Sequence, residues 1–171
     1  MDLTPSGLFM SGITWFEKND RPCRLNISGS DISTALVSFN ESKQATVDFD
    51  CSGIGLGAFS TSSKTVSATA ARPINQLRVC NRVRTNPTRT LTRLKGIEIH
   101  GAKIGLDNAS NAGDVVSDQE SMPNCDYWGQ LLSCPAGAYA TGLVLEGDDV
   151  AGDGRAEIKG MRLICHSVGV R

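Results

Sequence analysis

The densest group of polar side chains in this sequence is an acidic, glycine-rich segment that spans residues 146–157. It carries Asp148, Asp149 and Asp153, with glycines close to each of them. Ca²⁺ binds several oxygen ligands that flexible loops supply, although the spacing here is not that of an EF-hand. Three roles stay open for these carboxylates: a solvated turn, hydrogen bonding to a ligand, and a calcium site. We predict no cofactor, with calcium at these three residues as the alternative.

A second candidate group is Asp126, Tyr127 and Trp128, which are consecutive. Saccharide sites combine an aromatic ring, which offers apolar area, with carboxylates or amides that bond hydroxyl groups. Together with the acidic segment, these residues predict a ligand-binding surface. In the alternative interpretation, Tyr127 and Trp128 lie between Cys125 and Cys134 and pack over a disulfide.

Catalytic chemistry has little support in the residue types. The sequence contains no nucleophile elbow and no phosphate-binding loop of the Walker type. Only two histidines are present, His100 and His166, and we expect each to be exposed or packed. We therefore predict no catalytic residues. A glycan-acting hydrolase or transferase that uses Glu98, Glu157 and Asp149 stays an alternative.

One stretch, residues 82–95, is basic, with arginines alternating with threonine and valine. This pattern predicts a hairpin around Asn86 and Pro87 whose charged side chains point outward. We expect a sheet edge that discourages strand addition, with binding of polyanions as the alternative.

The cysteine count is six, an even number, which predicts three disulfides and an oxidising compartment. There is no Cys-x₂-Cys pair, and the two histidines are not at ligand spacing, so we predict no metal site. The protein is expected to be secreted. The predicted disulfide cysteines are Cys23, Cys51, Cys80, Cys125, Cys134 and Cys165.

The elements that would position these groups are short strands. Residues 7–16 and 24–27 are predicted strands on either side of a turn at 18–22, and residues 45–51 alternate cleanly between apolar and polar side chains. Residues 32–39 fit a strand or one helical turn, residues 105–124 are predicted to be a loop, and no amphipathic helix of three turns is found. The net charge is −1 at pH 7, which gives no argument for nucleic acid, and no apolar run is long enough to span a membrane.

Two segments bracketed by cysteines, 51–80 and 134–165, look like copies of one unit. In each, a glycine-rich strand follows a cysteine, a polar loop comes next, and an apolar strand ends at a second cysteine. Residues 94–101 repeat part of this unit more weakly. If the copies are hairpins stapled at their ends, Cys51 pairs with Cys80 and Cys134 with Cys165, which leaves Cys23 and Cys125 for each other.

Residues 127–165 also resemble one repeat of the vitelline membrane outer layer protein I family, with a fainter copy at 51–80. The matching residues are Trp128-Gly129, Cys134-Pro135, Gly137, Tyr139, Gly142-Leu143, Leu145, Asp148-Asp149, Gly160-Met161-Arg162-Leu163 and Cys165. The resemblance implies a β-prism of three four-stranded sheets around a pseudo-threefold axis. It also implies an extracellular role in a protective coat and oligosaccharide binding at one end.

The sequence therefore predicts a single all-β domain over residues 1–171, prism-like with internal repeats or alternatively a sandwich. The predicted function is that of an extracellular carbohydrate-binding or coat-forming protein without catalytic activity. A structural subunit of an extracellular assembly, or a secreted enzyme acting on glycans, is the alternative. The expected partners are glycans or extracellular proteins, including further copies of the chain.

Overall fold

The computed structural model describes residues 8–18, 20–31, 42–48, 62–68, 72–87, 89–102, 115–149 and 156–167. All regular elements among them are strands, so the predicted all-β class is confirmed. This part of the chain contains no helix long and apolar enough to cross a membrane. The strands are β1 (Leu8–Lys18), β2 (Arg21–Asp31), β3 (Ser42–Asp48), β4 (Ser62–Ser67), β5 (Ile74–Asn86), β6 (Arg89–Ala102), β7 (Val115–Ser121), β8 (Tyr127–Trp128), β9 (Leu132–Ser133), β10 (Ala138–Asp149) and β11 (Ala156–Ser167).

The described strands form three antiparallel sheets, each built on one long hairpin. The first has the order β3-β2-β1-β4, and the second has the order β7-β6-β5-β8 with β9 also paired to β5. The third consists of β10 and β11. The hairpins are β1–β2, β5–β6 and β10–β11, and the first of them turns within the predicted segment 18–22, where Asp20 has a φ of 66°.

Alternation along each hairpin directs one row of apolar side chains inward, and the three rows share one core. Ile13, Leu77 and Leu143, one from each hairpin, are fully buried. Burial of such a side chain stabilises the fold by about 1.5–3 kcal/mol relative to its exposure. The described sheets of four, five and two strands thus share one core, which contradicts neither the predicted prism nor the alternative sandwich.

The three hairpins share a register with two β-bulges. At the first bulge the outgoing strand has one extra residue, which is Ser11 in the first hairpin, Asn75 in the second and Thr141 in the third. At the second bulge the extra residue is in the returning strand, and it is Cys23, Lys95 and Lys159 in the same order. The paired residues between the bulges are 12–16, 76–80 and 142–146, five in each hairpin. Because bulges bend and twist a strand at a defined position, the hairpins are copies of one local geometry.

This register corrects the repeat that was predicted from the cysteines. Residues 62–80 do not form a hairpin, because β4 pairs with β1 whereas β5 pairs with β6. Residues 51–61 lie outside the described part of the chain. The structural counterpart of Lys159-Gly160-Met161 is Lys95-Gly96-Ile97, which belongs to the weaker of the two sequence echoes.

The disulfides follow the same correction. Cys134 is bonded to Cys165 at the open end of the third hairpin, as predicted. Cys80 is bonded to Cys125, which excludes both the Cys51–Cys80 and the Cys23–Cys125 pairing. Cys23 is also disulfide-bonded, and Cys51 lies outside the described residues. These bonds indicate an oxidising compartment.

Two further segments bear on the predictions. β7 lies within residues 105–124, so that the last part of the predicted loop is a strand of the second sheet. β3 confirms the strand that alternation predicted at 45–51 as far as Asp48. The ambiguous segment 32–39 lies outside the described residues.

Candidate functional site

The second sheet carries a polar surface with one tryptophan on the side that faces away from the core. Arg78 stands opposite Glu98, and Gln76 stands opposite His100. Leu77, Ile97 and Ile99, which alternate with them, are fully buried in the core, so these four side chains point outward. Trp128 lies on the same side. We call this surface the tryptophan face: Gln76, Arg78, Glu98, His100 and Trp128.

Short contacts fix the side chains of the tryptophan face. Arg78 donates to Oε2 of Glu98 from Nε at 2.8 Å and from Nη2 at 2.6 Å. Nε2 of His100 lies 2.8 Å from Oε1 of Glu98. The guanidinium carbon of Arg78 is 5.3 Å from the centre of the Trp128 ring, a cation–π distance. Each group therefore holds its neighbour in place.

Glu98 is the electrostatic centre of this face. Burial opposes ionisation of the carboxyl, but hydrogen bonds from His100 and Arg78, reinforced by their charges, outweigh it and hold the pKa of Glu98 below its ordinary value. The carboxylate is thus ionised at neutral pH. Because an ionised carboxylate only accepts hydrogen bonds, Nε2 of His100 carries the hydrogen in their contact.

The three consecutive residues predicted to bind a ligand do not share one surface. Trp128 pairs with Cys80 and Tyr127 pairs with Asn81, so the two rings point to opposite sides of the sheet. Trp128 is half-buried, whereas Tyr127 is 46% exposed. The structure therefore places Trp128 alone of the three on the tryptophan face.

Asp126 has a different position from the one expected. Its carboxylate accepts a hydrogen bond from the backbone N–H of Val83 at 2.9 Å. Its own backbone N–H donates to the carbonyl oxygen of Asn81 at 3.0 Å. Asp126 thus attaches the segment before β8 to the edge of β5.

The predicted acidic site is only partly covered by the structure. Asp148 and Asp149 end β10, opposite Glu157 and Ala156, and Asp153 lies outside the described residues. The side chains of Asp148 and Asp149 also lie outside the described part of the structure. Among the side chains that are described, no group of histidine, cysteine and carboxylate residues is arranged to hold a metal ion. Calcium at this segment stays a prediction.

Four members of the tryptophan face were not predicted as part of a binding group: Gln76, Arg78, Glu98 and His100. The sequence does carry a signal for them. Polar residues occupy every second position around Leu77 on β5 and around Ile99 on β6, which is the pattern of two strands with one solvated side. These four residues lie 28 to 52 positions before Trp128 in the sequence, so the pattern along each strand does not show that they lie beside it.

A second cluster of charged groups lies where the turn of the first hairpin meets the second hairpin. Nζ of Lys95, the bulged residue of β6, donates to Oε2 of Glu17 at 2.9 Å and to Oδ1 of Asp20 at 2.6 Å. Nη1 of Arg82 donates to Oδ2 of Asp20 at 2.6 Å. We call this group the lysine cluster: Glu17, Asp20, Arg82, Arg84, Arg93 and Lys95.

The pKa values of the two carboxyl groups in the lysine cluster are shifted in opposite directions. Burial raises the pKa of Glu17 despite the hydrogen bond and charge of Lys95. For Asp20 burial acts in the same direction, but Lys95 and the arginines outweigh it, so its pKa is lowered. The pairing of Asn86 with Arg89 confirms the hairpin predicted around Asn86 and Pro87, and among the described strands residues 82–86 and 89–93 pair only with each other. Arg93 and Lys95 are buried, however, so these two side chains do not point outward as expected.

Comparison of the chain with protein-family models, with curated proteins and with solved structures finds no significant match. The resemblance of residues 127–165 to the vitelline membrane outer layer protein I family stays a prediction. The functional argument therefore depends on the geometry of the two clusters.

Proposed function

We propose that the protein is an extracellular carbohydrate-binding protein without catalytic activity, and that it contacts saccharides through the tryptophan face. The observation that carries this proposal is the position of Trp128 beside Arg78 and Glu98 on one solvated side of the second sheet. The ring offers apolar area to the carbon–hydrogen face of a sugar. The planar charged groups offer donors and acceptors to its hydroxyl groups.

Preorganisation supports binding at this face. Arg78, Glu98 and His100 are held by one another and stand on two inner strands, so few rotamers are lost when a ligand binds. Gln76 is held in a similar way, because its Nε2 donates to Oγ of Ser133 at 3.0 Å. A rigid polar surface of this kind suits a ligand with many hydroxyl groups.

The protonation of Glu98 favours binding over hydrolysis. Glycoside hydrolysis uses two carboxyl groups, one of which keeps a raised pKa and acts as the acid. Glu98 is the one carboxylate among the residues that define the tryptophan face, and its pKa is lowered. It is therefore suited to accept hydrogen bonds from a ligand.

Secretion is part of the proposal because the disulfides are those of an oxidising compartment. A surface that binds sugars by hydrogen bonds and ring contacts suits a protein that meets glycans outside the cell. A role in an extracellular coat, as the resemblance of residues 127–165 implies, belongs to the same proposal.

The test is a glycan array followed by calorimetric titration of each glycan that binds. We expect the affinity for the glycan to fall by at least about tenfold in Trp128→Ala and in Glu98→Gln. The first substitution removes the ring that contacts the sugar, and the second removes the charge of the carboxylate that accepts hydrogen bonds from its hydroxyl groups. Tyr127→Ala is the matched control, because this neighbouring aromatic residue is exposed on the opposite side of the sheet. Absence of any glycan that binds, or equal loss in Tyr127→Ala and Trp128→Ala, would contradict the proposal.

A further inference from the structure

Lys95 lies with its ammonium group against two carboxyl groups. Its side chain is completely buried, that of Glu17 is 6% exposed, and that of Asp20 is 30% exposed. Besides the carboxylate oxygens at 2.6 Å and 2.9 Å, Nζ contacts the backbone oxygen of Asp20 at 3.2 Å. The one nucleophilic atom of the lysine is therefore held beside the carboxyl carbon of Asp20.

We propose that Lys95 and Asp20 become joined by an amide bond between Nζ and Cγ, with Glu17 transferring the protons. Such a bond would connect the turn of the first hairpin covalently to the second hairpin. It would be independent of the disulfides and of the tryptophan face. The proposal thus concerns a covalent modification of the protein by its own side chains.

The reaction is a condensation in which atoms and charges balance. The ammonium group passes one proton to Glu17, and the resulting amine attacks Cγ of Asp20, where the N–C bond forms. The bond between Cγ and Oδ1 then breaks, and Oδ1 leaves as water with the two protons that the nitrogen has released. One ammonium and one carboxylate become one neutral amide and one water molecule, so no further reactant is needed.

The arginines of the lysine cluster are placed to assist the attack. Negative charge develops on Oδ2 of Asp20 as the nitrogen adds to Cγ. Oδ2 accepts a hydrogen bond from Nη1 of Arg82 at 2.6 Å, and Nη2 of Arg84 lies 3.0 Å from the same oxygen. Positive groups fixed at an oxygen where charge develops stabilise the tetrahedral species.

Glu17 has the properties that the proton transfer requires. Its Oε2 contacts Nζ of Lys95, while its Oε1 is buried without a hydrogen-bond partner. Burial raises the pKa of Glu17, which allows this carboxyl to hold a proton between the two steps. The carboxylate of Asp20 is a weak electrophile until it receives that proton, so Glu17 is the residue on which the reaction depends.

The ion pair between Lys64 and Glu120 is a matched comparison within the same chain. Nζ of Lys64 lies 2.8 Å from Oε2 of Glu120, a distance similar to those in the lysine cluster. Both of these side chains are 40% exposed. The amine of Lys64 is open to water, whereas Lys95 is completely buried, so we expect no amide bond between Lys64 and Glu120.

The experiment is the intact mass of the full-length protein after folding, reduction, alkylation and denaturation. The wild type is expected to be lighter than its sequence requires by the mass of one water molecule. Glu17→Gln, which removes the proton carrier, and Lys95→Arg, which removes the amine, are expected to have the full mass. Glu120→Gln is the matched control and should stay lighter by one water molecule. Proteolysis of the wild type should release a branched peptide that joins Asp20 to Lys95.

The full mass in the wild type would overturn the proposal. So would loss of water without a branched peptide, or a branch through Glu17 or Lys64. If Glu17→Gln does not fold, as judged by circular dichroism, the mass and the branched peptide of the wild type decide the question alone.

Discussion

The guanidinium group of Arg78 lies over the ring of Trp128 while it bonds the carboxylate of Glu98 on the neighbouring strand. Arg78 thus connects an aromatic group from β8 to an acid on β6. Removal of this one side chain affects a stacking contact and a charge-assisted hydrogen bond together. The first prediction concerns that double role.

Replacement of Arg78 by lysine should destabilise the protein by about 1 kcal/mol, because a lysine keeps the charge but not the planar donors or the stacking. Urea unfolding of the two proteins measures the difference. Arg162→Lys is the control, since the ion pair of Arg162 with Glu146 is mostly exposed and should change stability by less than about 0.5 kcal/mol. Equal effects of the two substitutions would contradict the role given to Arg78.

The lowered pKa of Glu98 predicts how stability depends on pH. The pKa of this carboxyl in the folded state is below its ordinary value of 4.5, so the unfolded chain takes up the proton first. The contribution of ionised Glu98 to the free energy of unfolding is complete above the ordinary value of 4.5, and it is lost as the pH falls through the lower pKa of the folded state. The free energy of unfolding of Glu98→Gln should consequently fall less than that of the wild type between about pH 6 and about pH 3. The same slope in both proteins would show that Glu98 is not stabilised in its ionised form.

Equivalent core positions in the three hairpins should respond alike to truncation. Ile13→Ala, Leu77→Ala and Leu143→Ala each remove a fully buried side chain, and each should destabilise the protein by about 2–5 kcal/mol. Val144→Ala, beside Leu143 but on the exposed side of β10, should have an effect below about 1 kcal/mol. Chemical denaturation measures all four. A small effect at one of the three positions would mean that its hairpin does not contribute to the shared core.

Gly96 and Gly160 occupy the same position in the second and third hairpins, directly after the second bulge, but we expect them to tolerate replacement by alanine differently. A Cβ on Gly96 would lie 2.9 Å from Cβ of Ser121 and 3.0 Å from both Cβ of Cys80 and the backbone oxygen of Glu120. A Cβ on Gly160 would meet the end of a flexible side chain, Oε2 of Glu146, at 3.0 Å. Gly96→Ala should therefore cost about 1–3 kcal/mol, and Gly160→Ala less than about 1 kcal/mol. Thermal unfolding compares them, and the reverse order would contradict the packing around Gly96.

Much of the local structure could be predicted because its signals are close together in the sequence. Alternation at residues 45–48 identifies β3, and Asp20 with Pro22 marks the turn between β1 and β2. The third hairpin, with its disulfide between Cys134 and Cys165, follows from two apolar runs on either side of a polar loop. Each of these features depends on neighbours within one hairpin.

Pairing between distant strands could not be predicted in the same way. Ile74–Cys80 and Ile158–Cys165 look alike because both place apolar residues toward the same core, although one is an outgoing strand and the other a returning strand. Composition does not distinguish these two roles, since each obeys the same alternation. The wrong disulfide for Cys80 was a consequence of that ambiguity.

The candidate sites show the same limit. Lys95 was predicted to point outward because the basic residues of 82–95 alternate with threonine and valine, whereas its partners Asp20 and Glu17 lie 75 and 78 residues away. Trp128 was identified as an aromatic group near carboxylates, but its partner Arg78 comes from another strand. Buried charges and surface clusters depend on which strands meet, and single-strand patterns do not contain that information.

Three sheets around a common core have a consequence for how such a protein changes over time. Inward-facing side chains of all three hairpins pack in one core, whereas the contacts of the tryptophan face all lie within the second sheet. Substitutions on this face can therefore alter what it recognises without disturbing the other two sheets. In a fold of this kind, the ligand that one outer surface binds can change during evolution while the shared core is kept.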